Sequence, residues 1–104
     1  MESWLLVVEV NCTDESRVAE FDDWYDNIHI PDILSGSPGC KSATRYLRKY
    51  PAPGKPKYLA VYEFETDDIE KTLEAHAKNV ETKYAAGRKS PFAEIVSRRF
   101  CKVR

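Results

Sequence analysis

The amino-acid sequence predicts an α+β domain with the element order βαββαβ, in which a four-stranded antiparallel sheet carries both helices on one face. Two stretches place apolar residues at helical spacing, and four others have the length and composition of strands. Segments that contain Gly or Pro separate most of them. A chain of 104 residues accommodates one such unit but no separate cofactor domain. We therefore expect residues 1–104 to form a single domain.

The first strand is predicted over residues 3–11, SWLLVVEVN, a short segment that is rich in Val and followed by a polar cluster. Apolar side chains occupy one parity of this strand: Trp4, Leu6, Val8 and Val10. Leu5 and Val7 occupy the other parity, so both faces of the strand need a cover.

The first helix is predicted to begin after Thr13 or Asp14, either of which can cap its first turn. Apolar residues then recur at spacings of three and four: Val18, Phe21, Trp24, Tyr25 and Ile28. Pro31 lacks a backbone N–H and disfavours helical backbone at the residue before it. We therefore expect the regular helix to end near Ile28 or His29, with a short turn that continues through Leu34.

The second helix is predicted to be capped by Thr66 or Asp67, and Asp67 with Glu70 has the spacing of a capping box. Its inner side carries apolar residues and one histidine: Ile69, Leu73, His76, Ala77 and Val80. Gly87 ends this helix at the latest.

Three further strands are predicted over residues 40–50, 57–66 and 92–103, and the segment PAPGKP joins the first two as a hairpin. Because both helices cover the same face of the sheet, the other face is left open. Apolar residues would lie on that open face: Leu5, Val7, Leu59 and Val61. A monomer rarely exposes an apolar surface of this size, so we predict a homodimer in which two sheets close a shared barrel about a twofold axis.

Composition and spacing exclude several classes of partner. The net charge of −1 gives no long-range attraction to nucleic acid or to an anionic membrane, so we expect neither partner. The apolar residues 3–10 follow no basic segment and are too few to cross a bilayer, which favours a cytoplasmic protein. Cys12, Cys40 and Cys101 lack metal-ligand spacing and the glycines occur singly, so we expect no metal and no nucleotide cofactor.

One set of residues resembles a known superfamily: Phe21, Trp24, His29, Pro31, the Pro38-Gly39 pair and Tyr46. Together they are similar to the dimeric α+β barrel superfamily, which has a ferredoxin-like fold, and especially to its EthD-like branch. The resemblance covers nearly the whole chain in element order but rests on few positions. It implies a pocket in each subunit between the sheet and its helices, with a histidine near the end of the first helix, where His29 lies.

The candidate catalytic residues follow from proton chemistry. His29 lies three residues after Asp26, which could orient the imidazole as a general base. The alternative is that His29 bonds a free carbonyl at the helix end. His76 could converge on the same cavity, or it could be a packing residue. Tyr46 or Tyr62 would donate to an enolate-like oxygen, the alternative being that each only fills the core.

Apolar and aromatic residues are expected to form the walls of the substrate pocket: Trp4, Leu6, Val8, Phe21, Trp24, Tyr25 and Tyr62. Arg45 and Arg48 on the second strand, and Arg98 and Arg99 on the last, have opposite parity within each pair, so at least one arginine of each pair faces inward or into the dimer interface. An interface arginine would pair with Glu9 or Glu63 across the barrel, and the alternative is that it binds an anionic substrate.

These features favour a cofactor-independent enzyme that transfers a proton on a small, apolar, carbonyl-bearing or phenolic molecule, as a lyase, isomerase or cyclase. The superfamily resemblance also implies an alternative, a cofactor-free monooxygenase acting on the same kind of substrate. A third possibility is a ligand-binding accessory dimer without chemistry.

Overall fold

The computed structural model describes residues 1–104. Four strands and three helices follow one another: β1 (Glu2–Cys12), α1 (Val18–Trp24), α2 (Ile30–Gly36), β2 (Cys40–Leu47), β3 (Tyr58–Thr66), α3 (Ile69–Ala85) and β4 (Ala93–Lys102). All neighbouring strands are antiparallel, in the order β2-β3-β1-β4. Because α1 and α2 form one nearly continuous helical segment, the arrangement is βαββαβ. The predicted ferredoxin-like α+β fold is confirmed.

The core lies between the helices and one face of the sheet. On β1 the alternate residues Leu6, Val8 and Val10 are buried, as the predicted parity requires. Tyr62 and Phe64 of β3 lie on the same face and are at most 1% exposed. Most of the hydrophobic free energy of folding therefore comes from this single interface between the sheet and the helices.

The predicted end of the first helix is wrong, because the helix continues through Pro31. A π turn, Tyr25–His29, links α1 to α2, and the N–H of Ile30 donates to the carbonyl of Tyr25 five residues earlier. Pro31 then lies in the first turn of α2. A proline is tolerated there because the first turn needs no N–H from it, and the wide π turn accommodates its ring.

The second predicted helix, α3, is capped by Asp68, so the predicted capping box of Asp67 and Glu70 is wrong. The side chain of Asp68 accepts from the N–H of Lys71 at 3.2 Å. The hydroxyl of Thr66 accepts a hydrogen bond from the N–H of Asp68 at 3.0 Å, so the N–H of the capping residue is also satisfied. Gly87 follows the helix with φ of +82°, the left-handed conformation that favours glycine.

The second face of the sheet has no helix over it. Leu5, Val7, Leu59 and Val61 lie there and are only partly buried within one chain. Glu9 shares this face but is only 7% exposed, because Arg48 pairs with it at 2.9 Å and Ser97 donates to it at 2.6 Å. The chain is thus a slab of two layers, 42 × 33 × 18 Å, and no helix in it is long and apolar enough to cross a membrane.

Candidate active site

His29 lies in the π turn and points into the protein, where it is 7% exposed. Its ring stacks on Trp24, with centroids 4.5 Å apart and planes 18° apart. The ring of Tyr25 meets it edge-on at 5.3 Å. Short π segments inside helices occur often at functional sites, because the widened turn places side chains where a regular helix does not. The aromatic contacts hold the imidazole in one orientation.

Burial above all, followed by the nearby His76, lowers the pKa of His29 to about 4, against an opposing effect of Asp32 and with a smaller lowering effect of Arg98. His29 is therefore neutral at neutral pH. No protein group forms a hydrogen bond with its ring nitrogens. A neutral imidazole with a free acceptor nitrogen can take a proton from a bound molecule.

His76 projects from α3 toward the same interior and is 8% exposed. Its Nδ1 lies 2.8 Å from the hydroxyl oxygen of Ser37, and that oxygen accepts from the amide of Asn79 at 3.0 Å. Since Ser37 already accepts from Asn79, its own O–H is free to donate to Nδ1. This arrangement assigns the proton of neutral His76 to Nε2. Burial first, and then Arg98, lower the pKa of His76 to about 4.

The two histidines line one small cavity of about 20 Å³, room for a single water-sized group. The cavity walls are mostly apolar: Leu6, Val8, His29, Ile33, Tyr62, His76, Val80, Ile95 and Arg98. A groove of about 610 Å³ adjoins the cavity and shares His76, Val80 and Arg98 with it. The rest of the groove is formed by α3 and β4: Leu73, Ala77, Glu81, Tyr84 and Phe100. The cavity and the open groove between α3 and β4 therefore lie side by side, with His76, Val80 and Arg98 bordering both.

Two phenols in this region, Tyr25 and Tyr62, are buried. Their hydroxyl oxygens are both inaccessible and lie near each other, without a well-formed hydrogen bond to any protein group. Burial raises the pKa of each phenol well above its usual value, so both remain protonated. The ring of Tyr62 lines the cavity, while its hydroxyl lies beyond the accessible space.

The sequence predicts that Asp26 orients His29, but the structure does not bring the two side chains together. Asp26 is exposed and accepts from Arg45 at 3.2 Å, while Asp22 accepts from the same guanidinium at 2.8 Å. The π turn explains the difference, because residues three apart diverge more in a wide turn than in an α-helix. Asp26 therefore pairs with Arg45, whose side chain is only 18% exposed and whose guanidinium lies 4.7 Å over the ring of Tyr25.

Tyr46 is also absent from this site. It pairs with Leu59 on the open face of the sheet and is 53% exposed, whereas His29 lies on the helical side. The whole sheet separates the two residues. The predicted role of Tyr46 as a donor beside His29 is therefore incompatible with its position. Of the cavity residues, His76 offers an N–H donor, while the hydroxyl of Tyr62 is inaccessible.

The predicted pocket walls divide into three groups. Leu6, Val8 and Tyr62 line the cavity, and Trp24 and Tyr25 contact His29. Phe21 is fully buried in the core between Tyr25 and Tyr58 and reaches neither concavity. Trp4 lies at the start of β1, with its indole N–H on Glu2 at 3.2 Å, away from the cavity.

Sequence reasoning missed Ser37 and Tyr84. Ser37 occurs in the segment SGSPG, whose composition indicates only a turn, and nothing local shows that it faces a histidine of another helix. Tyr84 lies on α3 with its ring 6.0 Å from His29, a contact between elements that sequence spacing does not reveal. No group of three or more His, Cys, Asp or Glu side chains is placed to hold a metal ion.

No protein-family model matches the sequence, and no curated protein matches it. Among solved structures, the chain is similar to an ethyl tert-butyl ether D (EthD) family protein from Bacillus halodurans, with a TM-score of 0.60, 18% identity and 100% of both chains covered. It is similar to a dimeric ferredoxin-like protein from an uncultured marine organism, with a TM-score of 0.65 and 13% identity over 99% of this chain and 96% of the other. A candidate monooxygenase from Shewanella loihica gives a TM-score of 0.62 at 12% identity, covering 100% of this chain and 97% of the other.

These likenesses show that the chain has the ferredoxin-like α+β fold that EthD family proteins have. They confirm, at the level of the fold, the resemblance inferred from the sequence.

Proposed function

We propose that the protein is a cofactor-independent enzyme in which His29 removes a proton from a small, largely apolar carbonyl or phenolic substrate. The observation that carries the proposal is the pair of buried, neutral histidines from separate helices that line one cavity beside a groove. His29 forms no hydrogen bond within the protein, so its acceptor nitrogen is available to a bound molecule.

The two histidines are suited to different roles in proton transfer, one as acceptor and the other as donor. His29 offers an acceptor nitrogen, while Ser37 holds the proton of His76 on Nε2, so His76 offers a donor. In the proposed reaction His29 takes the proton from a carbon next to a carbonyl, or from a phenol, and His76 donates to the substrate oxygen. The negative charge formed on that oxygen stabilises the new imidazolium, which burial otherwise disfavours.

An enolate-like intermediate leads to lyase, isomerase or cyclase chemistry, according to whether it expels a leaving group, takes a proton elsewhere or attacks a second carbonyl. The alternative is a cofactor-free monooxygenase, in which the carbanion reduces oxygen. One observation favours this alternative: a candidate monooxygenase shares the fold. Oxygen uptake during turnover separates the two chemistries.

We also propose a homodimer, with the open sheet faces of two chains packed together. The half-buried Leu5, Val7, Leu59 and Val61 form an apolar surface within one chain that a second copy would cover. A dimeric ferredoxin-like protein shares the fold and supports this arrangement. Because each groove lies on the helical side of its own sheet, the dimer leaves both grooves accessible.

The test is a screen of aromatic ketones and phenols with product analysis under air and under nitrogen. Once a substrate is found, His29→Gln should lower turnover by about 10²-fold, because the general base is lost. Lys78→Gln changes an exposed residue of α3 and is the control, with turnover expected to equal that of the wild type. Full activity of a folded His29→Gln variant would contradict the proposal.

A further inference from the structure

Arg98 is a positively charged residue of the candidate site, and no carboxylate pairs with it. Arg45 and Arg48 each have a carboxylate oxygen within 3.2 Å, but no carboxylate lies within ion-pair distance of Arg98. Arg98 lines both the inner cavity and the groove. Arg98 is exposed beside the apolar walls of the groove, so its guanidinium is free to bind an anion that enters with a ligand.

A β-bulge gives Arg98 this position. On β4 the register shifts between the partners of Glu9 and Val10, so that Ser97 pairs with Glu9 and Ile95 pairs with Val10. The extra residue, Val96, reverses the alternation of side chains that follow it. Arg98 consequently faces the helices opposite Val8, while Arg99 faces the open side of the sheet. Bulges of this kind often re-aim a side chain next to a functional site.

We infer that the substrate of this groove is a small apolar carboxylic acid, whose carboxylate binds Arg98 while its apolar body packs on Leu73, Val80 and Phe100. The groove, at about 610 Å³, has the size of sites that bury small organic ligands. A carboxylate fits better than a phosphate, because one guanidinium matches its two oxygens and the groove contains no second cation. This inference rests on the proposed function and specifies its substrate class.

The electrostatics of the histidines support the same conclusion. The positive charge of Arg98 lowers the pKa of both His29 and His76, after the larger effect of burial. A bound carboxylate neutralises that charge and adds a negative one, so both imidazoles become stronger bases in the complex. Binding of the substrate would thus raise the basicity of the histidine that removes its proton.

Glu81 is the other charged residue of the groove, and its effect on ligand binding has to be distinguished from that of Arg98. It forms no ion pair with Arg98 in the structure. Glu81→Gln should therefore leave stability nearly unchanged and should retain or strengthen the binding of a carboxylate, since it removes a like charge. Weaker carboxylate binding in Glu81→Gln would contradict the assignment of Arg98 as the free cation.

The main test compares naphthoate with its neutral amide, naphthamide, by calorimetry. The wild type should bind naphthoate about tenfold more tightly than naphthamide, and Arg98→Gln should abolish that preference. Arg99→Gln, a change of the neighbouring arginine on the opposite sheet face, should retain the preference, with the oligomeric state checked for both variants. Equal binding of the two probes to the wild type, binding of neither, or a preference retained in Arg98→Gln would overturn the inference.

The same probes distinguish this inference from the proposed function. His29→Gln should keep the preference for naphthoate, because it leaves Arg98 in place, while it loses turnover. Turnover retained in His29→Gln with the preference intact would refute the proton-transfer mechanism alone. Turnover that depends on His29 but proceeds equally on neutral ketones would refute the carboxylate site alone.

Discussion

The hydroxyl of Ser37 and Nδ1 of His76 lie 2.8 Å apart in the interior of the protein, joining the loop after α2 to the middle of α3. Asn79 donates both to Ser37 and to the carbonyl of Asp32, so this polar chain also ties α3 to the body of α2. The arrangement determines which nitrogen of His76 faces the cavity. In the proposed mechanism Ser37 is thus a positioning residue that acts through His76.

Ser37→Ala should lower both stability and turnover. The change leaves Nδ1 of His76 and the amide of Asn79 without their buried partner, at a cost of about 1–3 kcal/mol in the free energy of unfolding. The tautomer of His76 is no longer held, so kcat should fall more than KM changes. Urea unfolding and steady-state kinetics measure the two effects. Ser35→Ala, an exposed serine of the same helix end, should change neither, and Ser37→Thr should restore part of kcat.

The fold was predictable because apolar periodicity is a local property. Alternation in β1 and β3 and the three-four spacing from Val18 to Ile28 locate the elements without knowledge of their partners. The sheet faces were harder to predict. Tyr46 lies on the open face, and nothing in its own strand shows which parity meets the helices.

Single residues of the candidate site were predictable from the sequence, but their contacts with other elements were not. His29 and His76 do line one cavity, but the partners of each came from elsewhere in the chain. Asp26 would lie close to His29 in a regular α-helix, but the π turn changes that geometry. The inward position of Arg98 depends on the bulge at Val96, which alternation along β4 does not reveal. Such irregular backbone features determine the site and are not visible in periodicity.

Lowering the pH should destabilise the protein through its histidines. The folded pKa of His29 and of His76 is about 4, below the value near 6.5 of an unfolded chain. The unfolded state therefore binds more protons between these values, and the free energy of unfolding falls as the pH drops from about 6.5 to 4. The loss is on the order of 3 kcal/mol per histidine, and both contributions are fully present above pH 6.5.

Urea unfolding at several pH values measures this effect, with His76→Gln as the comparison. Carboxylates such as Glu9 also titrate in acid, since hydrogen bonds from Ser97 and Arg48 lower its pKa, so only the difference between the two proteins is informative. The variant should lose stability less steeply than the wild type between pH 6.5 and 4. Parallel curves would show that His76 is not held neutral by burial.

Pro31→Ala should change the site more than it changes stability. Pro31 is exposed and lies two residues after the end of the π turn, so alanine restores an N–H that can bond the carbonyl four residues earlier. That bond favours a regular α-helix through residues 25–29, which would rotate His29 away from the cavity. We expect the free energy of unfolding to stay within about 1 kcal/mol and turnover to fall. Pro51→Ala, in the exposed hairpin loop, is the control. Unchanged turnover in Pro31→Ala would show that Pro31 does not maintain the π turn.

Val61→Lys should dissociate the proposed dimer. Val61 pairs with Val7 near the centre of the open sheet face and is only partly buried within one chain. Two like charges facing each other across a twofold axis, in place of an apolar contact, make sheet-to-sheet packing unfavourable. Sedimentation should give about 24 kDa for the wild type, twice the 12.0 kDa of one chain, and about 12 kDa for Val61→Lys. Lys78→Gln on the helical side should remain a dimer. If the wild type sediments as a single chain at micromolar concentration, the open face has another role than pairing with a second copy.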